Sequence, residues 1–268
     1  MQFSKLYSSA LDQELGTDDS TRLFTDARRK RAINKAHLQW CDLTECAIRQ
    51  STIACSGGTA EYNLISTVTG ASGGDFLRIA KQGIEFQFIS SGTSSHKTMW
   101  LAGENQLPRR DIPWLNQYWP GWRDSTGAMP TAWYERMDGG RRYLGLVPPP
   151  QIQSSQKANV ILPYVAKPST LASDTDVPFT FGSTVRDDLE PYHQALVHYA
   201  ASDLEKLRLN SQASQGQLQI FMGYVERFLQ AMRPHGAQQV RMGRNYFQET
   251  RRHWGWRDRG WIPWSNFH

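Results

Sequence analysis

Cysteine is nearly missing from this sequence, with three in 268 residues at Cys41, Cys46 and Cys55. So small and odd a count supplies no disulfide framework. Without Cys-x-x-Cys spacing beside histidines it supplies no zinc site either, and buried, reduced thiols in a cytosolic setting are the expectation. No apolar run approaches the roughly 18 residues that span a bilayer. The opening residues, Met1-Gln-Phe-Ser-Lys-Leu-Tyr7, lack the apolar core of a secretion signal, so neither membrane insertion nor secretion is expected.

The motifs with the clearest mechanics are absent too. There is no Gly-x-x-x-x-Gly-Lys-Ser/Thr phosphate loop, no Gly-x-Ser-x-Gly elbow and no His-Glu-x-x-His helix. Asp174 with Asp176, and Asp187 with Asp188, are acid pairs that could in principle serve a metal or proton transfer. Such neighbours are common in loops, and Asp187 and Asp188 read better as the start of a helix. His193 and His198 lie five positions apart, a poor spacing for two ligands on one helical face. Gly57-Gly58 and Gly73-Gly74 lack the strand-then-helix setting of a phosphate loop and read as turns. We therefore assign no catalytic residue, no metal and no cofactor, and expect a protein that is not an enzyme.

What the sequence does have is an unusual tail. Arg241 to His268 holds six arginines, no lysine and four of the ten tryptophans. Glycines at Gly243, Gly255 and Gly260, with Pro263, interrupt any helical stripe, so the segment has no periodic apolar face with which to fold alone. Trp and Arg are the side chains most enriched at interface centres, each pairing a large flat surface with a hydrogen-bond donor. The candidate partner-binding residues are Arg244, Tyr246, Phe247, Arg251, Arg252, Trp254, Trp256, Arg257, Arg259, Trp261 and Trp264. Arginine alternating with aromatics also suits nucleic acid, whose backbone the cations would follow while the rings stack on bases. A tail folded back onto its own domain is the plain third reading. The formal charge is +5, and the tail's six arginines against Glu249 and Asp258 account for +4 of it, which leaves a nearly neutral body. A body of that kind does not suit broad non-specific DNA binding, which relies on many phosphate contacts.

Periodicity organises the remainder. Phe3, Leu6, Tyr7 and Ala10 predict a short helix to Leu15, closed by Gly16. From Thr25 as N-cap, a long amphipathic helix is expected to Gln50, with Ile33, His37, Trp40, Thr44, Ala47 and Ile48 on one side. Its basic cluster Arg28, Arg29, Lys30 and Arg31 sits where the helix dipole disfavours cations and is expected to be solvated. Residues 51–164 read as β-rich, with alternation through Tyr62, Leu64 and Ser66 and through Ile84, Phe86 and Phe88. Within that stretch, Trp100 to Trp133 is expected to be an aromatic, proline-rich loop pinned onto a sheet through its rings. Helical spacing returns at Asp187, breaks at 210–214 and resumes from Gln215 to Met232 before Pro234 and Gly236. The fold class expected is α+β: a helical bundle with an inserted β-rich subdomain and an extended C-terminal arm. The divisions fall at 1–50 and 169–236 for the bundle helices, 51–168 for the insertion and 237–268 for the docking tail.

This order resembles the head-to-tail adaptor, or connector, proteins of tailed bacteriophages. The likeness begins with Arg31-Ala-Ile-Asn-Lys-Ala-His-Leu-Gln-Trp40 in the long helix and continues through Asp75-Phe-Leu-Arg-Ile79. It includes Gly127-Ala-Met-Pro-Thr-Ala-Trp-Tyr134, Tyr143-Leu-Gly-Leu-Val-Pro-Pro-Pro150 and Leu162-Pro-Tyr-Val-Ala-Lys-Pro168. It is clearest where Thr170-Leu-Ala-Ser-Asp-Thr-Asp-Val-Pro178 leads to Pro191-Tyr-His-Gln-Ala-Leu-Val-His-Tyr-Ala-Ala201. The resemblance implies a structural virion protein at the neck, assembled in the host cytoplasm. Its implied partners are further copies of itself in a ring, usually dodecameric, then the portal protein, a downstream tail or nozzle protein, and DNA passing through without sequence specificity. So many tryptophans in the tail are not a feature of that family. The alternative reading is a nucleic-acid-binding protein that uses the Arg and Trp tail as a clamp.

Overall fold

In the computed structural model of the chain, residues 1–16, 24–64, 75–90, 107–125, 127, 129–152 and 156–232 are described. Among the described residues, five helices and three small antiparallel sheets make the fold α+β, as the periodicities imply. The chain divides into two compact units, Met1–Phe228 and Leu229–His268. Of the second, only 229–232 are described, the end of the last helix and one turn residue.

The first helix, α1, covers residues 3–15 as α-helical Phe3–Lys5, a π-helical turn Leu6–Ala10 and α-helical Leu11–Leu15. Phe3, Leu6, Tyr7, Leu11 and Leu15 turn inward. Gly16 ends the helix at φ +60°, the left-handed cap that costs glycine nothing. The long helix α2, Asp26–Thr44, follows Thr25, whose carbonyl accepts the Arg28 and Arg29 amides at 2.8 and 3.0 Å. It stops six residues short of the expected Gln50. Glu45 takes a left-handed conformation at φ +51°, and Ile48–Cys55 becomes strand β1. Pairing along its whole length with a later strand decides the matter, and Ile48 is 45% exposed rather than part of a helical stripe.

The basic cluster at the start of α2 also departs from expectation. Arg29 is buried with its guanidinium 2.8 Å from Asp12, and Lys30 reaches Asp174 at 3.0 Å, so two of the four cations tie the bundle together. α2 packs against α4, His193–Glu205, which a 3-10 turn Asp187–Tyr192 introduces. Ile33 of α2 and Val197, Ala200, Ala201 and Leu204 of α4 share one core with α1. The last helix, α5, is Ser211–Ala231 and starts four residues before the expected Gln215. Asn210 explains the early start: its side-chain oxygen accepts the Ala213 amide at 3.2 Å, an N-cap inside what reads as a break. Phe221 and Phe228 of α5 meet Trp40 of α2 edge-on at 6.0 and 5.7 Å, and Phe179 and Tyr192 close the same aromatic group.

Between α2 and α4 lie the sheets. In the larger, the long strand β7, Gln156–Ala166, pairs with β1 on one edge. On its other edge it takes β3, Phe76–Ile79, and β4, Glu85–Ser90, end to end. Pro163, which has no amide to donate, falls where β3 has ended and β4 has not begun, and there its carbonyl accepts Ala80 N at 2.9 Å. The second sheet runs β2, Glu61–Asn63, then β6, Arg141–Val147, then β5, Ala132–Asp138. The third is a two-residue pairing of β8, Thr180–Phe181, with β9, Thr184–Val185. The aromatic stretch before β5 is not all loop, because Ile112–Tyr118 forms the short helix α3. Asp111 precedes it in extended conformation and Pro113 occupies its first turn, where a missing amide is harmless. Leu115 and Trp122 then pack with Tyr134 and Val147, which is the ring-mediated pinning expected of this segment.

Candidate functional site

The tail residues Arg244, Tyr246, Phe247, Arg251, Arg252, Trp254, Trp256, Arg257, Arg259, Trp261 and Trp264 lie outside the described residues. The other residues the sequence brings forward take positions in the body, where their partners explain them. Asp174 accepts Lys30 Nζ at 3.0 Å and Tyr7 Oη at 2.9 Å, and these two partners, Lys30 foremost, hold its carboxyl below the usual range. Asp176 accepts the Ala172 and Ser173 amides at 2.7 and 2.8 Å, closing its own turn. Asp187 and Asp188 begin the 3-10 turn, and Arg186 holds Asp188 with both ends of its guanidinium at 2.7 and 2.6 Å. Asp174, Asp176 and Asp188 are thus each engaged by partners within the fold.

The histidines are likewise bound into packing. His37 is 1% exposed and its Nε2 accepts the Phe179 amide at 2.8 Å, so the neutral ring carries its proton on Nδ1. Burial, helped by nearby His193, pushes its pKa down to about 3. His193, buried beside Phe179, takes a hydrogen bond from the Met1 amino group at 2.9 Å and is pushed down to about 4, chiefly by burial. His198 stacks on Tyr224 and meets Gln217 Oε1 at 2.7 Å. The cysteines are free, with Cys41 and Cys46 buried and their Sγ atoms 3.7 Å apart. Among the described residues no group of three His, Cys, Asp or Glu side chains is placed to hold a metal ion. Nor is any described helix long and apolar enough to cross a membrane.

One surface stands out that the sequence reading left as packing. It is built on α3 and the chain on either side of it. Trp114 and Tyr118, one helical turn apart, meet at a tilt of 33° with centroids 5.3 Å apart, and Tyr118 is 62% exposed. Arg110 lies over the Trp114 ring at 4.5 Å and Arg123 over the Trp122 ring at 4.4 Å, both guanidinia exposed. Arg123 is further fixed by Asn116 Oδ1 at 3.1 Å, an atom it shares with Trp122 Nε1. Among the described residues neither arginine has a carboxylate within ion-pair distance, unlike Arg78, Arg136 and Arg186.

Beside these groups a cleft of about 460 Å³ opens, bounded by Ile112, Trp122, Arg123, Tyr134, Arg136 and Leu146. Its polar side is already balanced. Tyr134 Oη donates to Glu61 at 2.8 Å, and Arg136 grips both oxygens of the same carboxylate at 3.1 and 2.7 Å. That grip, first of all, lowers the Glu61 pKa, whereas burial raises that of Tyr134. The wall exists because Gly145 stands opposite Tyr134 on the neighbouring strand. A Cβ there would lie 2.0 Å from the Tyr134 ring, so only glycine lets the ring lie flat across β6. The sequence did carry a signal for this region, in the Asp111-Ile-Pro113 helix start and the arginines alternating with rings. The sequence matches no protein-family model and no curated protein.

Proposed function

We propose that this chain is a structural protein of the tailed-phage neck, a head-to-tail adaptor that forms a ring on the portal and joins the DNA-filled head to the tail. The observation that carries the reading is the bracketed architecture. Helices on either side of the β region in sequence pack on one another, while the chain between them builds sheets of its own. A closed ring with head-to-tail contacts needs two different complementary faces on each subunit, and a helical body with a β insertion supplies two. Exposed apolar side chains on the helical body suit such a contact. Leu209 is 91% exposed in a left-handed conformation unfavourable for leucine, Leu207 is 52% exposed and Ile220 46%. The order of sequence segments supports the same family.

In this reading the Arg and Trp tail is the portal-binding strap, and its work is association without chemistry. Ordering it costs roughly 1 to 2 kcal/mol per residue in backbone entropy, so several buried tryptophans and charge-paired arginines must act together. Trp254, Trp256, Trp261 and Trp264 serve as anchors, and Arg251, Arg252, Arg257 and Arg259 pair with acidic portal groups. A chain ending at Gln239 is expected to keep its folded body, read by circular dichroism, and to lose co-sedimentation with portal rings. Undiminished co-sedimentation would remove the strap. Salt separates this reading from a nucleic-acid clamp. Several phosphate contacts would make affinity fall steeply and linearly in log salt, whereas tryptophan-centred docking responds weakly.

A further inference from the structure

The geometry points to a second interaction surface: Arg110, Trp114, Tyr118 and Arg123, with the cleft beside them, dock a short acidic segment of a partner protein that inserts one apolar side chain. This surface goes beyond the adaptor reading and does not depend on it. The two arginines are held in advance, since each guanidinium sits over an indole, at 4.5 and 4.4 Å from the ring centroid, and one is also tied to Asn116. A ring contact covers a face of the guanidinium and not its N–H edge, so Arg123, which gives one edge donor to Asn116, still has others with which to grip a carboxylate. Because they are already oriented, binding loses less side-chain freedom. Exposed cations with no anionic partner among the described residues, set beside the exposed Tyr118 ring and the half-buried Trp114 ring, are a composition suited to the centre of a protein interface.

The cleft selects what accompanies the acids. Ile112, Trp122 and Leu146 give it apolar walls, and about 460 Å³ accommodates a Leu, Met or Phe side chain. Its one carboxylate, Glu61, is ion-paired with Arg136 and accepts a hydrogen bond from Tyr134, so the cleft repels an acidic peptide less than a bare carboxylate would. A nucleic acid fits less well. It needs a run of phosphate contacts, and among the described residues of this surface two uncompensated cations are on offer. A short peptide needs no more than two such contacts and one anchor.

The test uses the full-length chain and a displayed library of random 12-residue peptides, with counter-selection on the Arg110→Glu/Arg123→Glu double variant to discard peptides held elsewhere. Selected peptides are expected to carry two or more acids around one apolar residue. A labelled synthetic peptide of that sequence should bind about tenfold more weakly to either single charge reversal. Arg31→Glu, the same charge change on the exposed side of α2, should leave its affinity unaltered. Both arginines are exposed, and melting curves of the variants verify that the fold is retained. Selection of peptides without acid enrichment, no selection above background, or equal weakening by Arg31→Glu would overturn the proposal. So would a single-stranded oligonucleotide, added in parallel, being the only probe whose binding the two reversals abolish.

Discussion

Acidification from pH 8 to pH 5 is expected to loosen this fold well before its carboxylates protonate, and the cause is two histidines. His37 and His193 are buried neutral, with pKa values pushed down to about 3 and about 4. In the unfolded chain both return to an ordinary value near 6.5. Above that value neither state binds a proton and the full stability is present. As pH falls below it the unfolded chain takes up protons that the folded chain refuses, so stability is lost progressively until the folded pKa values are reached. At pH 5 the solution lies about 1.5 units below the unfolded pKa of each histidine, a loss of about 2 kcal/mol each and about 4 kcal/mol together. Net stabilities of domains are only about 5 to 15 kcal/mol, so this is a large share. The assay is urea unfolding followed by tryptophan fluorescence at each pH, where a slope of about 3 kcal/mol/M converts the loss into a midpoint lowered by more than about 1 M. His37→Gln keeps an acceptor for the Phe179 amide but does not titrate, and it should cut the pH-dependent loss to about half. A midpoint that is flat between pH 8 and 5, or a His37→Gln protein that loses as much as the parent, would refute the reasoning.

Substitutions at two further positions probe the packing. Trp40→Ala removes a fully buried ring from contact with Phe179, Tyr192, Phe221 and Phe228 and should cost about 3 to 5 kcal/mol in urea unfolding. Trp40→Phe should cost distinctly less, because the Trp40 indole nitrogen is buried without a hydrogen-bond partner and its removal leaves no polar group stranded. Gly145→Ala drives a methyl into the Tyr134 ring and is expected to destabilise by about 1 to 3 kcal/mol, read from thermal melting, with Tyr134 displaced from Glu61. A Gly145→Ala protein that melts like the parent would show that the ring does not lie across β6.

Much of the helical architecture is legible in the sequence because it rests on local periodicity. Phe3, Leu6 and Tyr7 before Gly16, and Leu189, Leu196, Ala200 and Leu204 before the break at Asn210, announce their helices through spacing and caps. Where the reading and the structure part, a distant partner decides. Ala47 and Ile48 extend the helical stripe of α2 on paper, yet β7, more than a hundred residues later, claims Ile48–Cys55 as a strand. Arg29 reads as solvated until Asp12 arrives from another helix to pair with it. The Arg110 and Arg123 surface depends on which rings lie under which guanidinia, a relation no spacing rule specifies, although Asp111-Ile-Pro113 announces the helix that creates it.

The most direct measurement of the central claim is the mass of the full-length chain, alone and with the portal protein, by native mass spectrometry at moderate salt. The adaptor account predicts a ring of copies bound to the portal, with a single fixed stoichiometry. A monomer that ignores the portal and instead binds DNA with a steep salt dependence would contradict it and favour the nucleic-acid clamp.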